Sequence, residues 1–194
     1  MAKSDGPRMP GDLLTSSLDF SQDQKIRLYK WDGKAFQEEG LLQSNQGLVS
    51  ALAFSPDGSK LAAGDVSVFP PPPPWCLEPF GFADTFFYFS QSAGKVILYD
   101  VPKREPITTR WSFHSARVNT LSWTADSLHC ASGALDTHIY VWSVKKPMKN
   151  IAIKNSIRGG VNAVLWVSHQ GSEGRLVGMG ADASVKVWQV KFHA

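Results

Sequence analysis

Three residues that lie close together in the chain have the types found in a catalytic triad. They are His114, Ser132 and Asp136. A serine hydrolase uses the serine as nucleophile, the histidine as general base and the aspartate to orient the imidazole. That chemistry also needs an exposed serine in a cleft with oxyanion donors, and the sequence contains no nucleophile-elbow motif. Hydrolysis is therefore one interpretation of the three residues, and a buried structural set of hydrogen bonds is the other.

The other potential metal ligands are few and widely spaced. The remaining histidines are His129, His138, His169 and His193, and the two cysteines are Cys76 and Cys130. Two cysteines make neither a disulfide framework nor a set of zinc ligands, and the histidines follow no metal-ligand spacing. The sequence therefore predicts no metal site and no cofactor.

The charged residues indicate no nucleic-acid or membrane partner. Twenty Lys and Arg against 17 Asp and Glu give a formal net charge of +3, and these charges are scattered along the chain. Proteins that bind nucleic acid or anionic membranes usually cluster their basic residues. No apolar run is long enough to span a bilayer, and the low cysteine content suits a reducing compartment. The composition therefore predicts a soluble intracellular protein.

Two strand patterns recur along the chain. The first occurs as VSALAFSPD from Val49, VNTLSWTAD from Val118 and VNAVLWVSH from Val161. The second occurs as KIRLYKW, KVILYDV, HIYVWSV and SVKVWQV, with an aromatic residue at the fifth place. Alternation of apolar and polar residues is typical of half-buried β-strands. An aspartate precedes the aromatic residue by six places in three of the four, at Asp23, Asp136 and Asp182, as expected for a tight turn.

The spacing of these patterns predicts a β-propeller. The first pattern recurs after 43 residues between Val118 and Val161, and after 69 between Val49 and Val118. Removing the 26 residues 66–91 makes the two spacings equal. A period near forty with four short strands is typical of a propeller blade. We therefore predict an all-β partial propeller over 23–194, with complete blades around 49–113 and 118–154 and a partial blade on each side, after a disordered non-repeat leader over 1–22.

The segment 66–91 interrupts the propeller pattern with a proline-rich and aromatic sequence. Its five consecutive prolines, Pro70, Pro71, Pro72, Pro73 and Pro74, could form a polyproline II ligand for a proline-binding domain. The long aromatic run that follows them is an aggregation hazard that exposed linkers usually avoid. Codons for a splice donor at Val66-Ser67, a pyrimidine tract and an acceptor at Gln91 are compatible with the sequence. We favour a translated, retained intron over a polyproline ligand.

The repeats resemble those of WD-repeat proteins. One repeat carries most of this family's pattern, in His114, Ser132, Asp136 and Trp142. The resemblance implies that these four side chains form a buried hydrogen-bond relay that fixes the strands of one blade. This implication favours the structural interpretation of the serine, histidine and aspartate over hydrolysis.

Within that family, the chain resembles the carboxy-terminal end of two-propeller, actin-interacting proteins that work with cofilin. The resemblance rests on IRLYKWDGKAFQEEGLL, on HSARVNTLSWTADSLHCASGALDTHIYVWSV and on the closing GADASVKVWQV. It implies a non-catalytic binding protein of the actin cytoskeleton, with actin filaments and cofilin as partners. The alternative is a WD-repeat scaffold of another complex, such as one in ribosome biogenesis or a vesicle coat. Because so few blades cannot close a propeller, we also expect self-association through open blade edges.

Overall fold

The computed structural model describes residues 13–15, 25–42, 47–66 and 94–192. Blade I comprises β1 (Leu13–Thr15), β2 (Ile26–Trp31) and β3 (Phe36–Leu42), and blade II comprises β4 (Leu48–Phe54), β5 (Lys60–Val66), β6 (Gly94–Asp100) and β7 (Glu105–Trp111). Blade III comprises β8 (Val118–Trp123), β9 (His129–Ala134), β10 (Ile139–Ser143) and β11 (Asn150–Ile153), and blade IV comprises β12 (Val161–Gln170), β13 (Glu173–Gly180) and β14 (Val185–Lys191). The described ranges contain no helix that is long and apolar enough to cross a membrane.

Each blade is an antiparallel sheet in which strands follow one another in chain order. Blades II and III have four strands each, whereas blades I and IV have three among the described residues. The predicted all-β partial propeller, with two complete blades and a partial blade on each side, is confirmed. The strands of the complete blades cover 48–111 and 118–153, close to the predicted limits.

Two predicted segments fall largely outside the described residues. The insert 66–91, with Pro70 to Pro74, lies outside them except for Val66 at the end of β5. Most of the leader 1–22 also lies outside, but its residues Leu13–Thr15 form β1 and pair with β2.

The core lies between the blades because the alternating side chains of each strand face two neighbours. In β10, Tyr140 and Trp142 pack in a cluster with residues of blade II, while Ile139 and Val141 pack with residues of blade IV. A third cluster joins blades I and II around Leu28 and Ile97. Alternate residues of a central strand therefore pack against opposite neighbouring blades. This explains why these strands are apolar on both faces.

Side-chain hydrogen bonds repeat at successive blade interfaces. In the first strand of blades II and III, the residue that follows the first valine of the repeated pattern donates to the carbonyl of the corresponding valine in the next blade. Ser50 Oγ lies 2.6 Å from the carbonyl oxygen of Val118, and Asn119 Nδ2 lies 2.9 Å from that of Val161. The repeated VS and VN pairs therefore fix the spacing between innermost strands.

Two glycines allow the blades to approach each other closely. A Cβ atom on Gly64 would lie 2.7 Å from Cγ1 of Val118, and a Cβ atom on Gly133 would lie 2.5 Å from Cγ1 of Val161. Both separations are far shorter than a normal carbon–carbon contact. A larger residue at either place would therefore push apart two blades that the core requires to be in contact.

Candidate functional site

His114, Ser132, Asp136 and Trp142 meet in blade III. The Nδ1 atom of His114 lies 2.9 Å from Oδ2 of Asp136, and its Nε2 atom lies 2.8 Å from Oγ of Ser132. Trp142 donates its indole N–H to the same Oγ at 2.8 Å. The four side chains thus form one continuous chain of hydrogen bonds.

The strand register of blade III brings these residues together. Ser132 lies in β9 and Trp142 in β10, which pair antiparallel, and Asp136 lies in the turn between them. His114 lies in the segment that leads from blade II into β8. Asp136 also accepts hydrogen bonds from the amides of Ser115 at 2.9 Å and His138 at 3.0 Å. The relay therefore ties the entry into the blade to its β9–β10 turn.

The relay is buried, and its bonds hold Asp136 in the ionised form. Burial alone would raise the pKa of Asp136, but the hydrogen bond and charge of His114 and the amides of His138 and Ser115 lower it below its usual value. A carboxyl pKa lowered by folding stabilises the protein above the unfolded pKa of about 3.9, and this contribution is lost as the pH falls through the folded value. Acid should therefore weaken blade III.

The geometry around Ser132 does not suit a nucleophile. Its side chain is fully buried, and its Oγ atom is already in contact with His114 and with the indole N–H of Trp142. A catalytic serine needs an approach path for substrate and nearby oxyanion donors. The triad-like residue types are therefore better explained by hydrogen bonding within the blade.

Replacing the serine hydroxyl is expected to destabilise the protein without removing a turnover activity. In Ser132→Ala, the indole N–H of Trp142 and the Nε2 atom of His114 lose their shared partner, which should cost about 1–3 kcal/mol of unfolding free energy. Urea unfolding followed by tryptophan fluorescence measures the loss. Ser184→Ala, which removes a hydroxyl bonded to Asp182 at the more exposed hairpin of blade IV, is the matched control. Equal stability of the two variants would contradict a relay role.

Blade IV does not repeat the relay. At the places of His114, Ser132 and Asp136 it has Ile157, Gly178 and Asp182. A Cβ atom on Gly178 would lie 2.7 Å from the ring of Trp188, so even an alanine would crowd that indole. Apolar packing replaces the hydrogen bonds there, so blade IV lacks the relay.

Asp65, at the end of β5, is a buried carboxylate with an incomplete set of partners. Its Oδ1 atom accepts from the amide of Lys95 at 3.0 Å, while Oδ2 has no hydrogen-bond partner in the described part of the chain. Burial raises its pKa to about 6, against the opposing effect of the Lys95 amide and charge. Because folding then favours the protonated form, stability decreases as the pH rises from about 4 to about 6. Asp65 therefore opposes folding at neutral pH.

The fold groups two histidines that are far apart in the sequence. His129 and His169 lie beside Asp126, and one ligand atom from each of the three residues lies within 4.8 Å of the others. His138 lies elsewhere, in the β9–β10 hairpin, and His193 lies outside the described residues. Sequence spacing could not reveal this group, because two residues come from blade III and the third from blade IV.

Blade IV presents an apolar surface that is covered in the preceding blade. Val185 and Val187 occupy the places in β14 that Ile139 and Val141 occupy in β10. The two valines are 64% and 63% exposed, whereas Ile139 and Val141 are 0% and 1% exposed because blade IV packs on them. Leu165 and Val167 are also exposed. We call Leu165, Val167, Val185 and Val187 the outward face of blade IV.

Comparison with known proteins identifies the repeats and several relatives. A family model described as WD domain, G-beta repeat matches residues 37–67 and 104–143. The chain is 34% identical over 171 residues to the 66 kDa stress protein of Physarum polycephalum. The aligned region covers 88% of this chain and 24% of that protein. It is 42% identical over 144 residues to an uncharacterised WD repeat-containing protein of Schizosaccharomyces pombe, covering 74% of this chain and 19% of that protein.

A third relative carries a functional name. Actin-interacting protein 1 of Drosophila melanogaster is 32% identical over 171 residues, which cover 87% of this chain and 23% of that protein. The chain thus spans about a quarter of the length of the curated relatives that it matches. The repeats, the blades and these similarities together show that the chain contains WD repeats, has the architecture of a partial β-propeller and is similar to actin-interacting protein 1 over most of its length.

Proposed function

We propose that this chain is a non-catalytic, protein-binding part of an actin-regulating propeller protein. Its activity would be to bind actin filaments and, together with cofilin, to promote their disassembly in the cytoplasm. The observation that carries the proposal is the similarity to proteins named actin-interacting protein 1, such as the one of Drosophila melanogaster. The similarity extends across 87% of the chain, and so is not limited to one WD repeat.

The structure suits a rigid binding platform. The repeated side-chain bonds from Ser50 and Asn119 join successive blades, and the relay fixes the β9–β10 turn at the edge of blade III. Loops held on such a framework are the usual contact sites of rigid scaffolds. Filament contacts made by exposed turns would need neither a cleft nor an activated nucleophile, in agreement with the burial of Ser132.

The alternative function is that of a WD-repeat scaffold in another complex, such as a ribosome-biogenesis or vesicle-coat assembly. WD repeats alone are compatible with it, because one fold carries many unrelated functions. The relatives named actin-interacting protein 1 do not favour it.

Co-sedimentation with actin filaments tests the proposal. The purified 194-residue chain is centrifuged alone, with bare filaments and with cofilin-saturated filaments, and its pelleted fraction is measured. We expect the largest fraction with cofilin-saturated filaments. The sample without filaments shows how much protein sediments by self-association. An equal pelleted fraction in all three samples would overturn the proposal and favour the scaffold alternative.

The outward face of blade IV is expected to bind another blade, which would be a second contact of the chain. Leu165, Val167, Val185 and Val187 are exposed, whereas the same face of blade III is covered by blade IV. In a longer protein the occupant would be a following blade, and in the 194-residue polypeptide it would be a second copy of the chain. Self-association in isolation is therefore part of the proposal.

A further inference from the structure

Asp126, His129 and His169 form a group of ligand-type side chains at the junction of blades III and IV. Asp126 lies in the β8–β9 turn, His129 begins β9, and His169 lies near the end of β12. One ligand atom of each residue lies within 4.8 Å of the other two. Imidazole nitrogens and a carboxylate oxygen are the donors that Zn²⁺ and related divalent transition metals prefer.

Two ring nitrogens in this group lack a hydrogen-bond partner among the described residues. His129 Nδ1 and His169 Nε2 are both buried, and neither makes a hydrogen bond in the part of the chain that the structure describes. Buried polar side-chain atoms in folded proteins nearly always have a partner. Two such atoms beside one carboxylate indicate that a ligand normally satisfies them.

An ion pair does not account for the arrangement. His169 Nε2 lies 3.4 Å from Asp126 Oδ2, but these two atoms make no hydrogen bond, and His129 Nδ1 also lacks a hydrogen-bond partner among the described residues. The other carboxylate oxygen, Asp126 Oδ1, accepts from the hydroxyl of Thr124 at 2.6 Å and from the amide of Leu128 at 3.0 Å. The turn therefore holds the carboxylate by one oxygen, while the other oxygen is directed toward His169.

The equivalent turn of blade II shows what the ordinary repeat contains. There Ser55 donates to Asp57 at 2.6 Å, as Thr124 does to Asp126. Lys60 occupies the place of His129 and lies 3.5 Å from Asp57. Blade III thus has an imidazole where blade II has an ammonium group, and blade IV brings a second imidazole to it. The change replaces an ammonium group, which is not a metal ligand, with two imidazoles, which can be.

The surroundings of the group suit a partly enclosed metal site. The ring of Phe192 stacks on His129 at a centroid distance of 4.1 Å and lies 5.3 Å from His169. A cavity of about 290 Å³ adjoins Asp126 and His129 and is also lined by Lys145 and Ser172. Phe192 shields the imidazoles, and the cavity provides an entry path and room for a fourth ligand such as water.

We propose that Asp126, His129 and His169 bind a divalent transition metal ion, with Zn²⁺ as the expected ion, and that this ion joins blades III and IV. Each ligand atom needs to lie about 2.0–2.2 Å from the ion, so the three atoms, which lie within 4.8 Å of one another, must move closer together when the ion binds. The inference is independent of the proposed binding to actin.

Zinc binding is measured on the tag-free 194-residue chain after treatment with a chelator. Isothermal titration with ZnCl₂ is expected to show one equivalent bound, and Zn²⁺ should raise the midpoint of thermal unfolding. His169→Gln and Asp126→Asn should weaken Zn²⁺ binding by at least about tenfold, as losses around metal sites do. The asparagine keeps the oxygen that Thr124 and Leu128 contact, so the turn should survive.

The control variant is His138→Gln, which removes a histidine that lies outside the group. It should bind Zn²⁺ as the unmodified chain does, and circular dichroism should show that all variants are folded. Co²⁺ substitution adds a spectroscopic readout, since a visible absorption band should appear in the unmodified chain and be lost in His169→Gln. Zn²⁺ affinity that is unchanged in both ligand variants, or the absence of stoichiometric binding, would overturn the proposal.

Discussion

A chain that lacks residues 66–91 is expected to be more soluble and to have a higher free energy of unfolding than the 194-residue chain. The expectation follows from the register of β5 and β6 in blade II. Lys60 pairs with Asp100 and Gly64 pairs with Val96, and the pairing continues for two more residues in each strand. Blade II therefore has its hairpin in register on both sides of the segment to be removed.

The deletion would give this hairpin the same length as its counterparts. Five residues separate the paired Gly133 and Ile139 in blade III, and five separate Met179 and Val185 in blade IV. After deletion, five residues, Asp65 and 92–95, would separate Gly64 from Val96. This agreement between three blades favours the view that the segment is foreign to the propeller, as a translated intron would be.

The gain has an entropic part and a solubility part. The present connection between Gly64 and Val96 contains 31 residues, and closing it costs about 1.5 kcal/mol more than closing five. Removal of the aromatic run also removes a segment that promotes aggregation. Chemical unfolding and the soluble fraction after expression measure the two effects separately.

Deletions of 66–90 and 66–92 are the matched controls, because they leave a connection one residue too long or too short. Both remove nearly the same prolines and aromatic residues but leave an incorrect hairpin. If all three deletions were equally stable, the gain would come only from composition, and the hairpin argument would be wrong. Lower stability of the 66–91 deletion than of the 194-residue chain would instead show that the segment supports blade II. The polyproline ligand would then be the better interpretation.

The blades could be predicted from the sequence because the length of the repeated unit can be measured by aligning the repeats with one another. Each VSALAF-like and KVILYD-like segment marks a strand, and equal spacing between Val118 and Val161 indicates equal blades. The relay residues could also be identified, because His114, Ser132, Asp136 and Trp142 match the pattern of WD repeats. In the structure, the strand register places Ser132 opposite Tyr140. The repeated strand patterns are therefore enough to predict a series of similar blades.

The histidine group could not be predicted in this way. His129 and His169 occupy places that other repeats fill with different residues, so no repeated pattern marks them. Their proximity depends on how far β12 continues past its bulge between Trp166 and Ser168, and a bulge leaves no clear signal in one sequence. The missing partner of Asp65 Oδ2 is likewise a property of packing rather than of residue type.

The double variant Val185→Lys, Val187→Lys is expected to convert a self-associating polypeptide into a largely monomeric one. Both valines lie on the outward face of blade IV and are 64% and 63% exposed. Burying them against a second copy would contribute about 2 kcal/mol, which corresponds to about a thirtyfold change in the dissociation constant. Lysines on exposed strands also oppose edge-to-edge pairing of sheets.

The change should leave blade IV folded. The side chains of β14 that pack toward blade III are Trp188 and Val190, and neither is altered. Sedimentation velocity over a range of protein concentrations measures the association, and thermal unfolding at low concentration checks the fold. The matched control is Ile107→Lys in β7, an apolar residue that is 42% exposed on a complete blade.

If Ile107→Lys reduced association as much as the double variant, general surface charge rather than the outward face would control it. If the unmodified chain were monomeric at all concentrations, no second copy would bind there. We expect neither result, because the matching face of blade III is fully covered by blade IV, with Ile139 and Val141 at 0% and 1% exposure. Because blade IV packs on this face of blade III, we expect another blade to pack on the corresponding outward face of blade IV.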